Sequence, residues 1–304
     1  MNVLLLVSNK DYVDSNCYIH QLVKQFKILE NVTIAEYDND NYLKYDPKHF
    51  HKNVVLLQQR KIKQGLSKLS KWYSDCAITI YDQDPWEAFR DDSPNKDCYF
   101  EFIKFLNINK VCVTSQWWAD FLNQKGIKSE FVRIWVLPEY CQNPKSFKLR
   151  KNLIGFTGSV WSYRKKFLDE LENMNIHVNV DSTPKQYSKF LNSLQDISVY
   201  IYTAALEISV ENKIIDLKQS LWAKDIDALS QGCFVLRDYH KDYSTFIDSQ
   251  IKTHLMYESI EQIPAILDEL TKKDQEELFF MQNETVNFMQ KNNFWIDTVK
   301  KLLS

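Results

Sequence analysis

Residues 221–240, LWAKDIDALSQGCFVLRDYH, are the stretch on which the fold turns. Trp222, Ile226 and Leu229 recur at helical spacing as an apolar stripe, while Lys224, Asp227 and Gln231 fall on the opposite side. Gly232 stands where a helix C-terminus takes a left-handed residue. Cys233–Leu236 then reads as a strand buried on both faces, as strands of parallel sheets are. Arg237, Asp238, Tyr239 and His240 leave its carboxyl end, the edge at which open α/β sheets bind ligands. Any surface helix shows polar residues opposite apolar ones, so the pattern alone leaves the three polar side chains open between a site and a solvated face.

The same alternation runs through the whole chain. Asn2–Val7 (NVLLLV) reads as a buried strand. A helix capped by Ser15 or Asn16 follows, with Ile19, Leu22, Val23 and Phe26 on one side, and then the strand Val32–Tyr37. A βαβ opening predicts a parallel sheet. The turn after the first strand lacks G-x-G-x-x-G, which weighs against a dinucleotide. Strands are expected at Val54–Leu57, Ala77–Tyr81, Lys110–Thr114 and Phe131–Leu137. Helices are expected at Ile62–Tyr73, Cys98–Leu106 and Gln116–Gln124, the last capped by Ser115 and stopped by Gly126. Pro138 to Lys151 is polar and aperiodic with two prolines, and sets the expected boundary between domains 1–140 and 141–304. Beyond it come strands at Leu153–Phe156, His177–Val180 and Ile197–Tyr202, with helices at Lys165–Asn173 and Pro184–Leu194. Ala204–Leu217 reads as a polar connection into the 221–240 unit. A short strand at Leu255–Tyr257 and helices at Ser259–Leu270, Lys272–Gln290 and Phe294–Leu303 close the chain.

Bulk properties narrow the classes. The 304 residues suffice for two domains, and 44% hydrophobic with 26% charged residues is a soluble composition. A net charge of -2 gives no electrostatic reason to expect nucleic acid. No apolar run approaches a membrane span and no basic region precedes the first strand. The expected location is cytoplasmic, with association at the inner membrane face left open. The six cysteines are scattered without a C-x-x-C and read as small buried hydrophobes, not as disulfides or metal ligands. With only five glycines, each is expected where the backbone demands it, and Gly155, Gly158 and Gly232 lie in the two most informative stretches.

Two strand ends carry the candidate chemistry. Asp82-Gln-Asp84-Pro-Trp86 follows Ala77–Tyr81, an acidic loop where such sheets place their sites, though equally an ordinary Asp-Pro turn. Thr157-Gly158-Ser159 follows Leu153–Phe156 and precedes a helix, a turn whose backbone N–H groups can meet a phosphate oxygen, with Arg164 adding a charged donor.

In this order the parts resemble the GT-B glycosyltransferases, nearest the group-1 and CgeB-like branch. The resemblance rests on Phe156-Thr-Gly-Ser159 with Arg164, on Lys224-Asp-Ile-Asp-Ala-Leu-Ser-Gln-Gly232 and the strand and acidic residues after it, and on Tyr257-Glu-Ser-Ile-Glu-Gln-Ile. In the first half it rests on Tyr81-Asp-Gln-Asp-Pro-Trp86 and Val113-Thr-Ser115. It implies two Rossmann-like domains facing a cleft, an N-terminal acceptor domain and a C-terminal nucleotide-sugar domain, with the last helix packing back on the first. It implies a hexosyltransferase-like enzyme with a glycan, lipid-linked or other surface-polysaccharide acceptor, no metal and no cofactor beyond the donor; with the net charge, no nucleic acid is expected as a partner. Gly158, Ser159, Arg164 and Lys224 would then meet the diphosphate, and Asp227 the donor ribose. An inverting enzyme needs a general base, for which Asp84 and Asp82 come first and Asp14 and His20 after them. The chain departs from the branch at Lys224, where relatives carry Arg, and at Asp227, where they carry Glu. Those departures favour an alternative, a catalytically silent GT-B-like binding or assembly module. A GT-B-fold epimerase is a third reading.

Overall fold

The computed structural model describes residues 1–9, 17–57, 66–160, 162–183, 185–203, 207–216, 223–239 and 250–304. They form two compact units, Met1–Ile134 with Ile208–Ile215 and Phe294–Ser304, and Trp135–Glu207 with Asp216–Asn293. From sequence, 208–215 are expected in the second domain, whereas they belong to the first unit.

The first unit contains β1 (Asn2–Val7), α1 (Cys17–Leu29), β2 (Asn31–Glu36), β3 (Lys52–Leu57), α2 (Leu66–Tyr73), β4 (Ile78–Asp82), α3 (Cys98–Phe105), β5 (Ile108–Val113), α4 (Gln116–Gln124) and β6 (Ser129–Phe131). Its six strands pair in the order β2-β1-β3-β4-β5-β6, all parallel. Val3 to Leu6 of β1 are wholly buried, because a central parallel strand is covered on both faces. Each such Leu contributes on the order of 1.5–3 kcal/mol. Ile19, Leu22, Val23 and Phe26 of α1 are the buried stripe that the spacing predicts. Ser115 caps α4 by accepting from the Trp118 N–H. At Gly126 (φ +78°) the helix ends in a Schellman pattern, Gly126 N–H to Asn123 O and Ile127 N–H to Leu122 O. Trp118 is buried in the core, and Trp117 stacks on Phe121 at 5.3 Å. Of the expected strand Phe131–Leu137 only Phe131 lies in a strand, at the end of β6 (Ser129–Phe131), and Val132 adds its N–H to the Val113 carbonyl.

The second unit contains β7 (Asn152–Thr157), α5 (Ser162–Asn173), β8 (Asn179–Asp181), α6 (Tyr187–Leu194) and β9 (Ile197–Tyr202). The residues expected as a polar connection hold a hairpin, β10 (Glu207–Val210) and β11 (Lys213–Asp216). Its turn residues Glu211 and Asn212 have φ of 52° and 60°, the paired left-handed conformation of a tight hairpin turn. Then follow α7 (Ala223–Ser230), β12 (Phe234–Asp238), β13 (His254–Tyr257), α8 (Ile263–Lys272) and α9 (Gln275–Lys291) in the second unit, and α10 (Trp295–Leu303) in the first. There α10 packs on α1, β3 and β4, and Thr298 Oγ1 donates to the Arg133 carbonyl at 2.8 Å.

The second sheet runs β13-β12-β9-β7-β8, again all parallel. The strand order reverses between β7 and β9, the crevice at which open α/β sheets bind ligands. At Gly232 (φ +67°) α7 stops as its sequence predicts, with Gly232 N–H to Leu229 O and Cys233 N–H to Ala228 O. Arg150, in the expected linker, is the buried hub behind this turn. Its guanidinium donates to the carbonyls of Lys145, Leu194, Ile197, Gln231 and Gly232.

Candidate active site

In the second unit β7 and β9 bring Thr157, Gly158 and Tyr202 to the carboxyl edge at the reversal of strand order. Gly158 has φ +117°, which side-chain-bearing residues rarely adopt. Its N–H, expected to be available to a phosphate, instead donates to the Asp181 carbonyl at 2.9 Å. What Gly158 supplies is space. Lys224 Nζ fills the volume a methyl group there would occupy, and donates to the Thr157 carbonyl at 2.8 Å.

Ser159 is exposed, and its carbonyl accepts from Arg164 at 2.8 Å. Arg164 is 8% exposed and donates its second terminal nitrogen to the Tyr202 hydroxyl. Its guanidinium lies 5.1 Å from the Tyr202 ring and 5.4 Å from the Tyr163 ring. Among the described residues its Nε has no acceptor. Arg164 therefore braces the 158–159 turn from within. Burial pushes the Tyr202 phenol up against the opposing pull of Arg164, so the hydroxyl keeps its proton.

On α7 the polar side is not solvated. Lys224 is half-buried, while Asp227 and Gln231 are buried. Asp227 Oδ1 accepts from the Tyr187 hydroxyl at 2.8 Å, and the Tyr187 ring meets Tyr140 edge-on at 5.3 Å. Gln231 Nε2 donates to the Tyr140 carbonyl at 2.8 Å. Asp225 forms an ion pair with Arg237, both at 0% side-chain exposure, and Asp238 Oδ1 lies 3.7 Å from Arg237 Nε. Burial opposes the Arg237 charge, but the two carboxylates outweigh it and hold the guanidinium protonated. Arg237 and Asp238, expected in a loop, are inside β12. Leu221, Trp222 and His240 lie outside the described residues.

In the first unit Asp82 ends β4. It is buried, accepting from the Tyr99 hydroxyl and, at 2.9 Å, from the Asp84 N–H. Asp84 starts a 3-10 turn, Pro85–Ala88, and is half-exposed, with its Oδ1 3.4 Å from Trp86 Nε1. The Arg90 guanidinium lies 5.3 Å from the Trp86 ring. Asp82 thus anchors the loop, while Asp84 keeps the access that a proton acceptor needs. His20 is half-buried on α1, and Asp14 lies outside the described residues. Among the described residues no group of three His, Cys, Asp or Glu could hold a metal ion, and no helix is long and apolar enough to cross a membrane.

Sequence reasoning missed Tyr187, Tyr202 and Arg150. Tyr202 had a readable signal, as the last residue of the aromatic strand ISVYIY. Tyr187 and Arg150 are brought to their partners only by tertiary packing.

No family model and no curated protein matches the chain. Solved structures do. The DNA-modifying enzyme beta-glucosyltransferase, solved with and without uridine diphosphoglucose, superposes with a TM-score of 0.63 at 13% identity, covering 100% of both chains. HepE from Anabaena, in complex with UDP and glucose, gives 0.61 at 9% identity, covering 100% of this chain and 99% of its own. An alpha,alpha-trehalose-phosphate synthase (UDP-forming) from Burkholderia vietnamiensis gives 0.58 at 8%, covering 99% and 98%. These are GT-B glycosyltransferases, and the chain shares their fold from end to end.

Proposed function

We propose that the chain is a nucleotide-sugar-dependent glycosyltransferase, with UDP as the nucleotide and a glycan or lipid-linked glycan hydroxyl as acceptor, acting in the cytoplasm. The observation that carries this is the strand-end cradle of the second unit, with Lys224 seated against Gly158 and Asp227 one turn further along α7. The full-length likeness to structures holding UDP or UDP-glucose supports it.

As the bond from the anomeric carbon to the donor's β-phosphate breaks, the departing diphosphate gains negative charge. Lys224 meets that charge by exchanging the Thr157 carbonyl for a phosphate oxygen, so that no metal is required. Arg164 holds the Ser159 turn, and Asp227 exchanges the Tyr187 hydroxyl for ribose hydroxyls. Asp84 accepts the proton from the acceptor hydroxyl whose oxygen bonds the anomeric carbon. From Asp82 to Asp97 six carboxylates outnumber two cations, a charge that repels a phosphodiester acceptor and suits an uncharged glycan. The motif Tyr81-Asp-Gln-Asp-Pro-Trp86 supports a place nearest the CgeB-like branch.

One observation favours the silent-module reading. The Gly158 N–H, the terminal nitrogens of Arg164 and the Lys224 ammonium all have protein partners. A thermal-shift screen with UDP, GDP, CMP, ADP and dTDP, with and without EDTA, separates the two. UDP at about 100 times its Kd should stabilise the fold by roughly 2.7 kcal/mol, with EDTA indifferent. No shift with any nucleotide would sink the transferase reading.

A further inference from the structure

The hairpin β10–β11 comes from the second half of the sequence and joins the first unit, where Asp91 receives its turn. The Asp91 carboxylate accepts from the Ser209 hydroxyl, from the Glu211 N–H at 3.2 Å and from the Asn212 N–H at 3.0 Å. The Asp91 N–H donates to the Ser209 carbonyl at 2.8 Å. Lys96 binds the same carboxylate at 2.8 Å, and Lys125 pairs with Glu211. The two consecutive left-handed residues of the hairpin turn point their N–H groups at one acceptor, an anion nest filled by a side chain of the same unit.

Asp91 ends the short segment that begins with the candidate base. From Asp84 the chain makes the 3-10 turn of Pro85–Ala88, and the Phe89 and Arg90 N–H groups both donate to the Trp86 carbonyl. The Asp97 N–H returns to the Ala88 carbonyl at 2.8 Å, closing the loop. At one end Asp82 holds the Asp84 N–H, and at the other the hairpin holds Asp91.

We propose that Asp91 is a positioning residue, which clamps the hairpin to the 82–97 loop and through that loop sets Asp84 and Trp86. The role of Asp84 rests on the transferase reading above, whereas the clamp itself does not. The contacts of Lys96, Ser209 and Asn212 hold the Asp91 carboxyl well below the usual carboxylate range, so the clamp stays charged at neutral pH.

Hydrogen–deuterium exchange on the full chain tests the clamp without any substrate. Asp91→Ala should speed exchange in peptides covering 84–97 and 207–216 together, leaving 152–164 and 223–238 unchanged. Asp91→Asn keeps one acceptor oxygen and should recover part of the protection. Ser209→Ala, a milder loss, serves if Asp91→Ala does not fold. In steady-state assays with UDP-glucose, Asp91→Ala should lower kcat about tenfold with UDP affinity unchanged. Faster exchange in the hairpin alone, with 84–97 unmoved, would overturn the proposal, as would wild-type kcat alongside loosened peptides. If the wild type fails to bind UDP, the transferase reading falls, and the exchange experiment still decides the clamp.

Discussion

The two strand-end clusters differ in how much water they keep. At the end of β4, Asp82 is buried under Tyr99 and the loop backbone, while Asp84 next to it stays half-exposed. At the ends of β7, β9 and β12, Arg164, Asp225, Asp227 and Arg237 are all buried, and each bonds to protein groups. The first cluster leaves the Asp84 residue partly exposed to water beside a buried anchor. The second has the form of a preorganised mount, in which buried charges position turns while Lys224 and Ser159 keep exposed surface. At the fully buried charges of the second cluster, substitutions cost stability before they cost chemistry.

The largest effect is expected at the Asp225–Arg237 pair. Asp225→Ala leaves a buried guanidinium short of one partner and should destabilise the protein by about 3–5 kcal/mol in urea unfolding. A loss near zero would mean that the pair is solvated and the contrast with the first unit false. Asp84→Asn should instead leave stability unchanged, keep UDP affinity, and lower kcat by about 10²-fold or more. Equal losses in kcat and in UDP affinity would erase the division of labour between the clusters. A smaller effect is expected for Tyr187→Phe, which removes one hydrogen bond to Asp227. Calorimetry should register UDP binding tighter by about 1 kcal/mol, because the ribose no longer has to displace the phenol from the same carboxylate.

The mildest probe is alkaline pH. Burial pushes the thiols of Cys112 and Cys141 up to about 12. A raised pKa in the folded state gives stability that is complete below the unfolded value of about 8.5 and drains away as pH rises towards 12. The melting midpoint should therefore fall between pH 8.5 and 11. Cys112→Val should flatten that slope if the packing is kept.

Much of the fold was legible because its signals are local. NVLLLV announces a doubly covered strand, Ser115 and Gly126 bracket α4, and Gly232 ends α7 where predicted. The hairpin was not, although Glu-Ile-Ser-Val-Glu-Asn-Lys-Ile-Ile-Asp carries a turn-tolerant Asn between short alternating runs. Its turn lacks the glycine that usually marks such a hairpin. The site was legible in part. Spacing put Lys224 and Asp227 on one side of a helix, but helical periodicity cannot tell a polar face that meets water from one that meets Tyr187, Thr157 and Tyr140. The spent Gly158 N–H was also invisible, since its acceptor, Asp181, comes from a neighbouring strand.

The most direct test of the central claim is isothermal titration of UDP into the wild type and into Lys224→Ala. Loss of a charged hydrogen bond of about 1.5–3 kcal/mol should weaken binding roughly 10- to 150-fold, with the melting midpoint of the free protein little changed. Equal affinity in both proteins, or no binding to the wild type, would contradict the assignment of this cradle to a nucleotide diphosphate.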